Sequence, residues 1–521
     1  MAVTISKIKL INYRRFRNYC FLPNQGINIV VGDNEAGKSS ILEAVDLVAS
    51  GSIKRFESLG LDRLMNIDAV NEYNHGNRNF ANLPKILIEL YLQGDFDFTM
   101  NGNNNSEQRI CDGIRLVCEA NSDYQREIIS ALYDNPDYFP YEYYSVRFST
   151  FADEGYSGYK KKLKTVLIDS TNMSTEYTTN DFVKRMYIQY TENSASEKAT
   201  HKSKYRQMRL SYCTEALSSL NNRVPPESNY AFGLKPVSDN SFEKDIMIYE
   251  NDIAIDNKGT GKQVFIKTDF ALEHAGDNVD VILIEEPENH LSQVNLRKLV
   301  NRVAANQNGQ LFITTHSSLI STRLELQNLM IMHHQNTNNP ISLNNVTHDT
   351  AKYFMKAPPA NIIEFSLSDK VILLEGPSEY ILFEKFYASL AGHSPEDDNI
   401  HIMDIRGLSF KRFLEISVLL GNRVAVITDN DKDYQKNCIE KYRDYLGNNQ
   451  IKVFYTRNND HHTYEIVLYN ENQELCDRLF GNDAKDYMLS NKTEASYRIL
   501  TSEEPINVPD YIKEAIEWIR G

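Results

Sequence analysis

Residues Ile27–Ser40 read INIVVGDNEAGKSS. An apolar, β-branched run ends at Gly32, and an apolar pattern of helical period runs from Ser39 to about Ala49. Between them, Gly32-Asp33-Asn34-Glu35-Ala36-Gly37-Lys38-Ser39 fits G-x-x-x-x-G-K-[ST] in the strand–loop–helix context that gives that pattern its meaning. The glycines let backbone N–H groups curl around phosphates, and the helix start adds favourable partial charge. Lys38 is expected to reach the β- and γ-phosphates of ATP, and Ser39 to ligate Mg²⁺. Asp33, Asn34 and Ser40 complete the expected nucleotide contacts.

A phosphate loop of this kind needs acidic partners, and VILIEEPENH at 281–290 offers them. Glu285 and Glu286 end an apolar strand. Glu285 is expected to contact Mg²⁺, and Glu286 to polarise the attacking water. Downstream, Thr314-Thr315-His316-Ser317 closes the next strand, where His316 is positioned to sense the γ-phosphate. Lys38 and Glu285 lie 285 − 38 = 247 residues apart, too far for one compact unit, so an insertion is expected. The polar stretch 165–245 has weak helical patterning and no sustained heptads. Asn257-Lys258-Gly259-Thr260-Gly261-Lys262-Gln263 could present backbone donors, with Gly261 central, to a nucleotide held by another subunit.

ISKIKLINYRRFRNY at 5–19, followed by INIVVGDNEAGKSSILEA, resembles the opening of the RecF/SMC-like branch of ABC ATPases. The 257–263 segment looks like a degenerate signature loop of that family. The resemblance implies two heads that sandwich nucleotide, and hence a homodimer or higher even oligomer, with 165–245 as a mostly helical dimerisation insertion. Glu285 departs from the family, where Asp is usual.

The C-terminal third raises a second question. VAVITDNDKDY at 424–434 is an apolar run that stops at Asp429, with Asp431 and Asp433 at alternate places. Such a cluster costs desolvation and repulsion unless a cation or hydrogen-bond donors compensate. MKAPPANIIEF at 355–365 carries a Pro-Pro break and is the expected domain boundary. Beyond it strands and helices alternate: 371–374, 378–391, 399–405, 408–420, 423–429, 434–446 and 451–456. That order predicts a parallel sheet flanked by helices. LLEGPSEYILFEKF at 373–386 puts Glu375 at a strand end and Glu379 one helical turn later. Strand alternation predicts that Asp429 and Asp431 project to one side. Thr463-Tyr464-Glu465 adds another acid. These hard oxygen ligands suit Mg²⁺ or Mn²⁺, and several at one sheet edge suit a two-metal phosphodiester site. Asp433 and Glu384 read as solvated or capping groups.

Glu375 after the first strand and Asp429-Asn430-Asp431 after a later one resemble a Toprim domain. An ABC ATPase followed by Toprim is similar to the OLD (overcoming lysogenization defect) family, which includes the nuclease-ATPase of the Gabija defence system. The resemblance implies an α/β chain: residues 1–360 as the ATPase, and 366–521 as a Toprim nuclease ending in helices. It matches Glu465 to the family's further acid, and Lys492, in SNKTEAS, to its lysine. It also implies an ATP-regulated DNA endonuclease acting in phage defence. Relatives occur alone, beside a helicase, or beside a reverse transcriptase with its DNA product.

The chain has 521 residues and a formal charge of −15, which argues against a wholly nucleic-acid-coated surface but not against a local basic track. KKKLK at 160–164 and Lys202, Lys204, Arg206 and Arg209 are candidate tracks. Cys20, Cys111, Cys118, Cys213, Cys438 and Cys476 form no C-x-x-C pair, so reduced thiols and a cytoplasmic location are expected. The N-terminus lacks the apolar core of a signal peptide, and no run reaches a membrane span of ~18 residues. A competing reading is an ATP-gated clamp on DNA or a partner, with a degenerate Toprim scaffold. Topoisomerase or primase chemistry fits less well, because no domain offers a nucleophilic tyrosine and the ABC module argues against polymerisation.

Overall fold

The computed structural model describes residues 3–521 except 135–137, 159–160, 170–181, 185, 189, 192–193, 227, 229, 235–240, 274–278, 306–308, 334–338, 357–360, 407–408 and 503. The Pro-Pro break, Lys160 of the first basic cluster and 170–181 of the expected insertion lie outside the described residues. The chain divides into two compact units: Thr4–Lys162 with Phe312–Gly521, and Leu163–Leu311 with Val3. No described helix is long and apolar enough to cross a membrane.

In the first of these units, Thr4–Tyr13 pairs antiparallel with Phe16–Phe21 on one edge and Ile86–Gln93 on the other. A register shift between Ile5 and Lys7 explains why burial skips from Ile5 to Ile8 and Leu10 instead of alternating strictly. Cys111–Ala120 and Tyr144–Thr150 extend this sheet. Ile27–Gly32 is buried on both faces, as its continuous apolar run requires, and pairs in parallel with Leu329–Met332. The Thr315 N–H donates to the Val30 carbonyl at 3.1 Å. Helix Lys38–Ser50 follows directly and buries Ile41, Leu42, Val45 and Val48.

The C-terminal part of the same unit carries a four-stranded parallel sheet in the order Ile400–Asp404, Lys370–Leu374, Arg423–Ile427, Ile451–Phe454. Its helices include Pro377–Ala391, Phe410–Leu420, Tyr464–Glu471 and Asp510–Arg520, whose Ile512, Ala515, Ile516 and Ile519 join the core. The expected helix 434–446 is instead a short π-type turn, Gln435–Glu440, followed by irregular turns. Polar contacts tie helix Phe410–Leu420 to helix His348–Lys356: Glu415 accepts from the Thr347 N–H at 2.6 Å and from the Thr350 hydroxyl. Phe354 meets Phe413 edge-on at 5.0 Å below them.

In the other unit, Thr165–Asp169 forms a strand parallel to Val281–Glu285, with Asp169 opposite Glu285. The expectation of a weakly helical stretch from 165 is corrected here. A five-residue apolar run is too short for periodicity to separate strand from helix. Helix Ala195–Glu215 has no buried residue. Helices Thr260–Glu273 and Gln293–Ala305 bury Val264, Phe270, Leu296 and Val300.

Candidate functional sites: a phosphate loop and a carboxylate cluster

The loop 32–38 is held by its glycines. Gly37 has φ +94°, and a Cβ there would lie 2.5 Å from Phe16 Cζ. A Cβ on Gly32 would lie 2.6 Å from the Met332 carbonyl oxygen. Both positions are therefore closed to other residues, for conformational and steric reasons respectively. Lys38 is buried, and its Nζ donates to the carbonyls of Gly32 at 2.9 Å and Asp33 at 3.0 Å. The ammonium is thus held against the loop's own backbone, where a bound phosphate would draw it. Asn34 and Ser39 are exposed, while Asp33 and Ser40 are partly buried. His316 is exposed one residue beyond buried Thr315, whose hydroxyl accepts from the Ser317 N–H at 2.9 Å.

In the other unit, Glu285 ends its strand partly buried. Glu286 has φ 39°, a left-handed conformation that costs a non-glycine residue about 1–3 kcal/mol and tends to mark functional sites. Its Oε2 accepts from Asn289 Nδ2 at 2.8 Å. Gly261, second residue of helix Thr260–Glu273, approaches the following turn closely: a Cβ would lie 2.1 Å from the His290 carbonyl oxygen. A glycine is required there by that contact, independently of any nucleotide.

The parallel sheet of the C-terminal part brings four carboxylates together at its C-terminal edge. Glu375 follows Lys370–Leu374 directly. Its Oε2 accepts from the Thr428 hydroxyl and the Asp429 N–H, both at 3.3 Å, which ties two strand ends together. Glu379 is buried in the first turn of Pro377–Ala391. Glu465 is buried in the first turn of Tyr464–Glu471 and accepts from Lys492 Nζ at 3.0 Å. Lys492 opens helix Lys492–Thr501.

Burial and mutual repulsion both act on these groups. Burial pushes Asp429 up to about 8, helped by the charges of Glu375, Glu379 and Glu465 and opposed by Lys492. Burial likewise pushes Glu379 up to about 7. A backbone hydrogen bond within its own residue works against this, Glu465 and Glu375 add to it, and Lys492 partly offsets it. Burial works against the charge of Lys492, but Glu465, Asp429 and Glu379 outweigh it and raise its pKa.

An all-oxygen cluster whose members repel one another fits a divalent hard cation, which would supply the missing positive charge. Among the described residues no three Asp, Glu, His or Cys side chains close into a ready-made metal cage. Hydrated Mg²⁺ does not need one, because it keeps several waters and takes one or two carboxylates.

Asp431 departs from the alternation argument. The strand ends at Ile427, so period-two geometry does not extend to 431. Asp431 and Lys432 take left-handed φ of 47° and 71°, and Asp431 is exposed. Asn430, overlooked in the sequence, is fully buried. Its Nδ2 donates to the carbonyls of Thr456 and Asn458, both at 2.9 Å, and its Oδ1 accepts from the Lys432 N–H at 2.9 Å. An Asn next to a strand-ending Asp was the only available signal, and Asn is common in turns.

Comparison with known proteins follows the same division. Residues 367–431 match the family described as "Overcoming lysogenization defect protein-like, TOPRIM domain". Residues 4–210 and 119–320 match the "AAA ATPase domain" family. Over 113 residues the chain is 31% identical to the DNA replication and repair protein RecF of Idiomarina loihiensis, covering 22% of this chain and 30% of that protein. The chain thus spans under a third of the length of this curated relative.

Among solved structures, the C-terminal region of the Xanthomonas campestris pv. campestris OLD protein is similar at 17% identity and TM-score 0.24, over 29% of this chain and 95% of that one. The ATP-bound recombination mediator RecF is similar at 11% identity and TM-score 0.35, over 66% of this chain and 99% of that one. The N-terminal part is an AAA-type ATPase domain. With its two ATPase matches spanning well over half of its length, the chain belongs to the AAA ATPase domain family, and it joins to that ATPase an OLD-like Toprim domain.

Proposed function

We propose that the chain is a metal-dependent DNA endonuclease regulated by ATP, with residues 1–360 as the ATPase and 366–521 as the nuclease. The observation that carries this reading is the gathering of Glu375, Glu379, Asp429 and Glu465 around Lys492 at one sheet edge. Glu375, Glu379, Asp429 and Glu465 would hold Mg²⁺ or Mn²⁺, with Asp431 contributing from the outer turn. Divalent ions at such a site supply an activated water and stabilise the leaving oxygen. Lys492 sits where its cation can bind a phosphate oxygen whose charge grows during hydrolysis. Thr428 and the Asp429 N–H orient Glu375.

In the phosphate loop, the N–H groups of 32–38 and Lys38 bind the ATP phosphates and Ser39 holds Mg²⁺; in the other unit, the motif of Glu285 is that of an Mg²⁺ ligand. Glu286 polarises water and His316 senses the γ-phosphate. Gly261 and its neighbours would face the nucleotide of a second copy in a homodimer. ATP hydrolysis then gates the nuclease and does not drive the cut. Phage defence is the proposed setting, with the chain acting alone, beside a helicase, or beside a reverse transcriptase with its DNA product.

The test is plasmid cleavage across Mg²⁺ and Mn²⁺, with and without ATP. Cleavage that persists in Asp429→Ala, or in Asp429→Ala combined with Asp431→Ala, would sink the site assignment. The outward turn at Asp431 favours a second reading, an ATP-gated DNA clamp on a degenerate Toprim scaffold. ATP-dependent DNA binding with no cleavage under any metal would favour it.

A further inference from the structure

The turn that carries Asp429 and Asp431 is strained. Asp431 and Lys432 both take left-handed φ, 47° and 71°. Non-glycine residues in that region cost about 1–3 kcal/mol each and persist only where their surroundings over-determine them. Two in succession need fastenings, and the hydrogen bonds of the turn supply them from two sides.

One set runs to the loop after the neighbouring strand. Asn430 donates to the Thr456 and Asn458 carbonyls, and the Asp431 N–H donates to the His462 carbonyl at 3.2 Å. The other set comes from the Gln435–Glu440 turn. There the Lys441 N–H donates to the Lys436 carbonyl at 3.1 Å, an i→i+5 bond, and π-type turns of this kind are frequent at functional sites. Such a turn is wider than an α-turn, so neighbouring side chains diverge less around it. Asn437 and Cys438 together reach three consecutive carbonyls. Asn437 Nδ2 donates to the Asn430 carbonyl at 3.0 Å and to the Asp431 carbonyl at 3.5 Å. The fully buried Cys438 donates from Sγ to the Asp429 carbonyl at 3.6 Å. Asp429 is thus held through its N–H by Glu375 and through its carbonyl by Cys438.

We propose that Asn437 and Cys438 are positioning residues for the metal-binding carboxylates: they hold the strained turn in the conformation that presents Asp429 and Asp431, and so remove an ordering cost from ion binding. The proposal rests on the reading of this edge as a divalent-cation site, and it does not depend on whether the loaded site cuts DNA. Both side chains act through the backbone of the turn, as groups behind a metal ligand do.

The experiment uses the full chain without nucleotide. Asn437→Leu keeps the size of the side chain and loses its donor. Cys438→Ala removes the thiol, and Cys438→Ser restores a donor. In EDTA, amide hydrogen exchange over 429–434 should quicken about two- to tenfold in Asn437→Leu, the equivalent of one lost hydrogen bond. Its Mn²⁺ affinity by titration calorimetry should fall about 10–100-fold, the scale for removing a group that orients a metal ligand. Cys438→Ala should lose less, because a thiol is a weak donor, and Cys438→Ser should recover the loss. In plasmid cleavage kcat should fall while KM for DNA stays at the wild-type value. Should Asn437→Leu melt well below the wild type, the two Cys438 variants carry the test.

Wild-type Mn²⁺ affinity in Asn437→Leu and Cys438→Ala overturns the positioning role, even where exchange quickens. Equal losses in Cys438→Ala and Cys438→Ser overturn it for Cys438. A wild type that binds Mn²⁺ but cuts no plasmid in Mg²⁺ or Mn²⁺ overturns the nuclease reading, and weakened binding in Asn437→Leu then still upholds the positioning role. Cutting by the wild type with unchanged Mn²⁺ affinity in the variants does the reverse.

Discussion

Lys492 donates from Nζ to Glu465 Oε2 at 3.0 Å, linking the first residue of one helix to the first turn of another across 27 residues of chain. Glu465 is nearly inaccessible while Lys492 keeps about half its side chain in solvent. The pair thus places a half-exposed cation among otherwise acidic groups. Lys492→Met is expected to lower the nuclease rate by about 10²–10³-fold, the scale for removing one preorganised charge-stabilising donor. Mn²⁺ binding by titration calorimetry should survive. A variant that cuts at the wild-type rate would remove Lys492 from the chemistry.

The acidic cluster sets a pH dependence. Asp429 at about 8 and Glu379 at about 7 lie above their unfolded values near 4. The metal-free folded chain therefore holds protons that the unfolded chain releases. Their contribution to stability is full below about pH 4 and disappears as the pH climbs through 7 and then 8. In EDTA the melting temperature should fall between about pH 5.5 and 8.5, and saturating Mn²⁺ should flatten that fall. Metal affinity should rise over the same interval, because the ion displaces protons. A metal-free melting temperature that rises across this interval would contradict the burial of these carboxyls.

Gly37→Ala tests the phosphate loop through its backbone. At φ +94°, with Phe16 Cζ 2.5 Å from the new Cβ, alanine must either strain the loop or displace the ring. A loss of about 1–3 kcal/mol in urea unfolding is expected, together with loss of ATP binding. Retention of both would mean that the loop rearranges freely.

Lys38→Ala should abolish ATP hydrolysis, since its ammonium is the one held at the Gly32 and Asp33 carbonyls. Mn²⁺ binding at Glu375, Glu379, Asp429 and Glu465 should be unchanged. Calorimetry on the variant checks this, and a loss of all metal binding would show that the two sites are not separable.

Glu415→Ala removes the acceptor for the Thr347 N–H and the Thr350 hydroxyl, and Thr350 is fully buried. Hydrogen bonds to a charged acceptor contribute about 1.5–3 kcal/mol each, so losing two is expected to cost at least about 3 kcal/mol in urea unfolding. An unchanged midpoint would show that the contact between helices His348–Lys356 and Phe410–Leu420 rests on its other ties, the Arg412–Thr350 and Ser409–Tyr353 hydrogen bonds and the Phe354–Phe413 pair.

Much of this protein was legible locally. Ile27–Lys38 announces a buried strand, a glycine loop and a helix start within a dozen residues, and the structure has each in place. The alternation of strands and helices after 366 likewise identified the parallel sheet and put Glu375 at a strand end. These features follow from φ, from periodicity and from burial along one element, which neighbouring residues determine.

What local pattern could not decide was convergence. Strand alternation assigned Asp431 to the same side as Asp429, yet the strand stops at Ile427 because Asn430 turns the chain to bind the Thr456 and Asn458 carbonyls. Likewise, 165–169 is a strand because Val281–Glu285 offers it a partner. Sequence alone determined which residues carry acid, base and phosphate-binding chemistry. Only the tertiary structure decided that Glu465 and Lys492 meet Asp429 and Glu379, because that meeting depends on helices packed from distant parts of the chain, whose energy lies in contacts no short window contains.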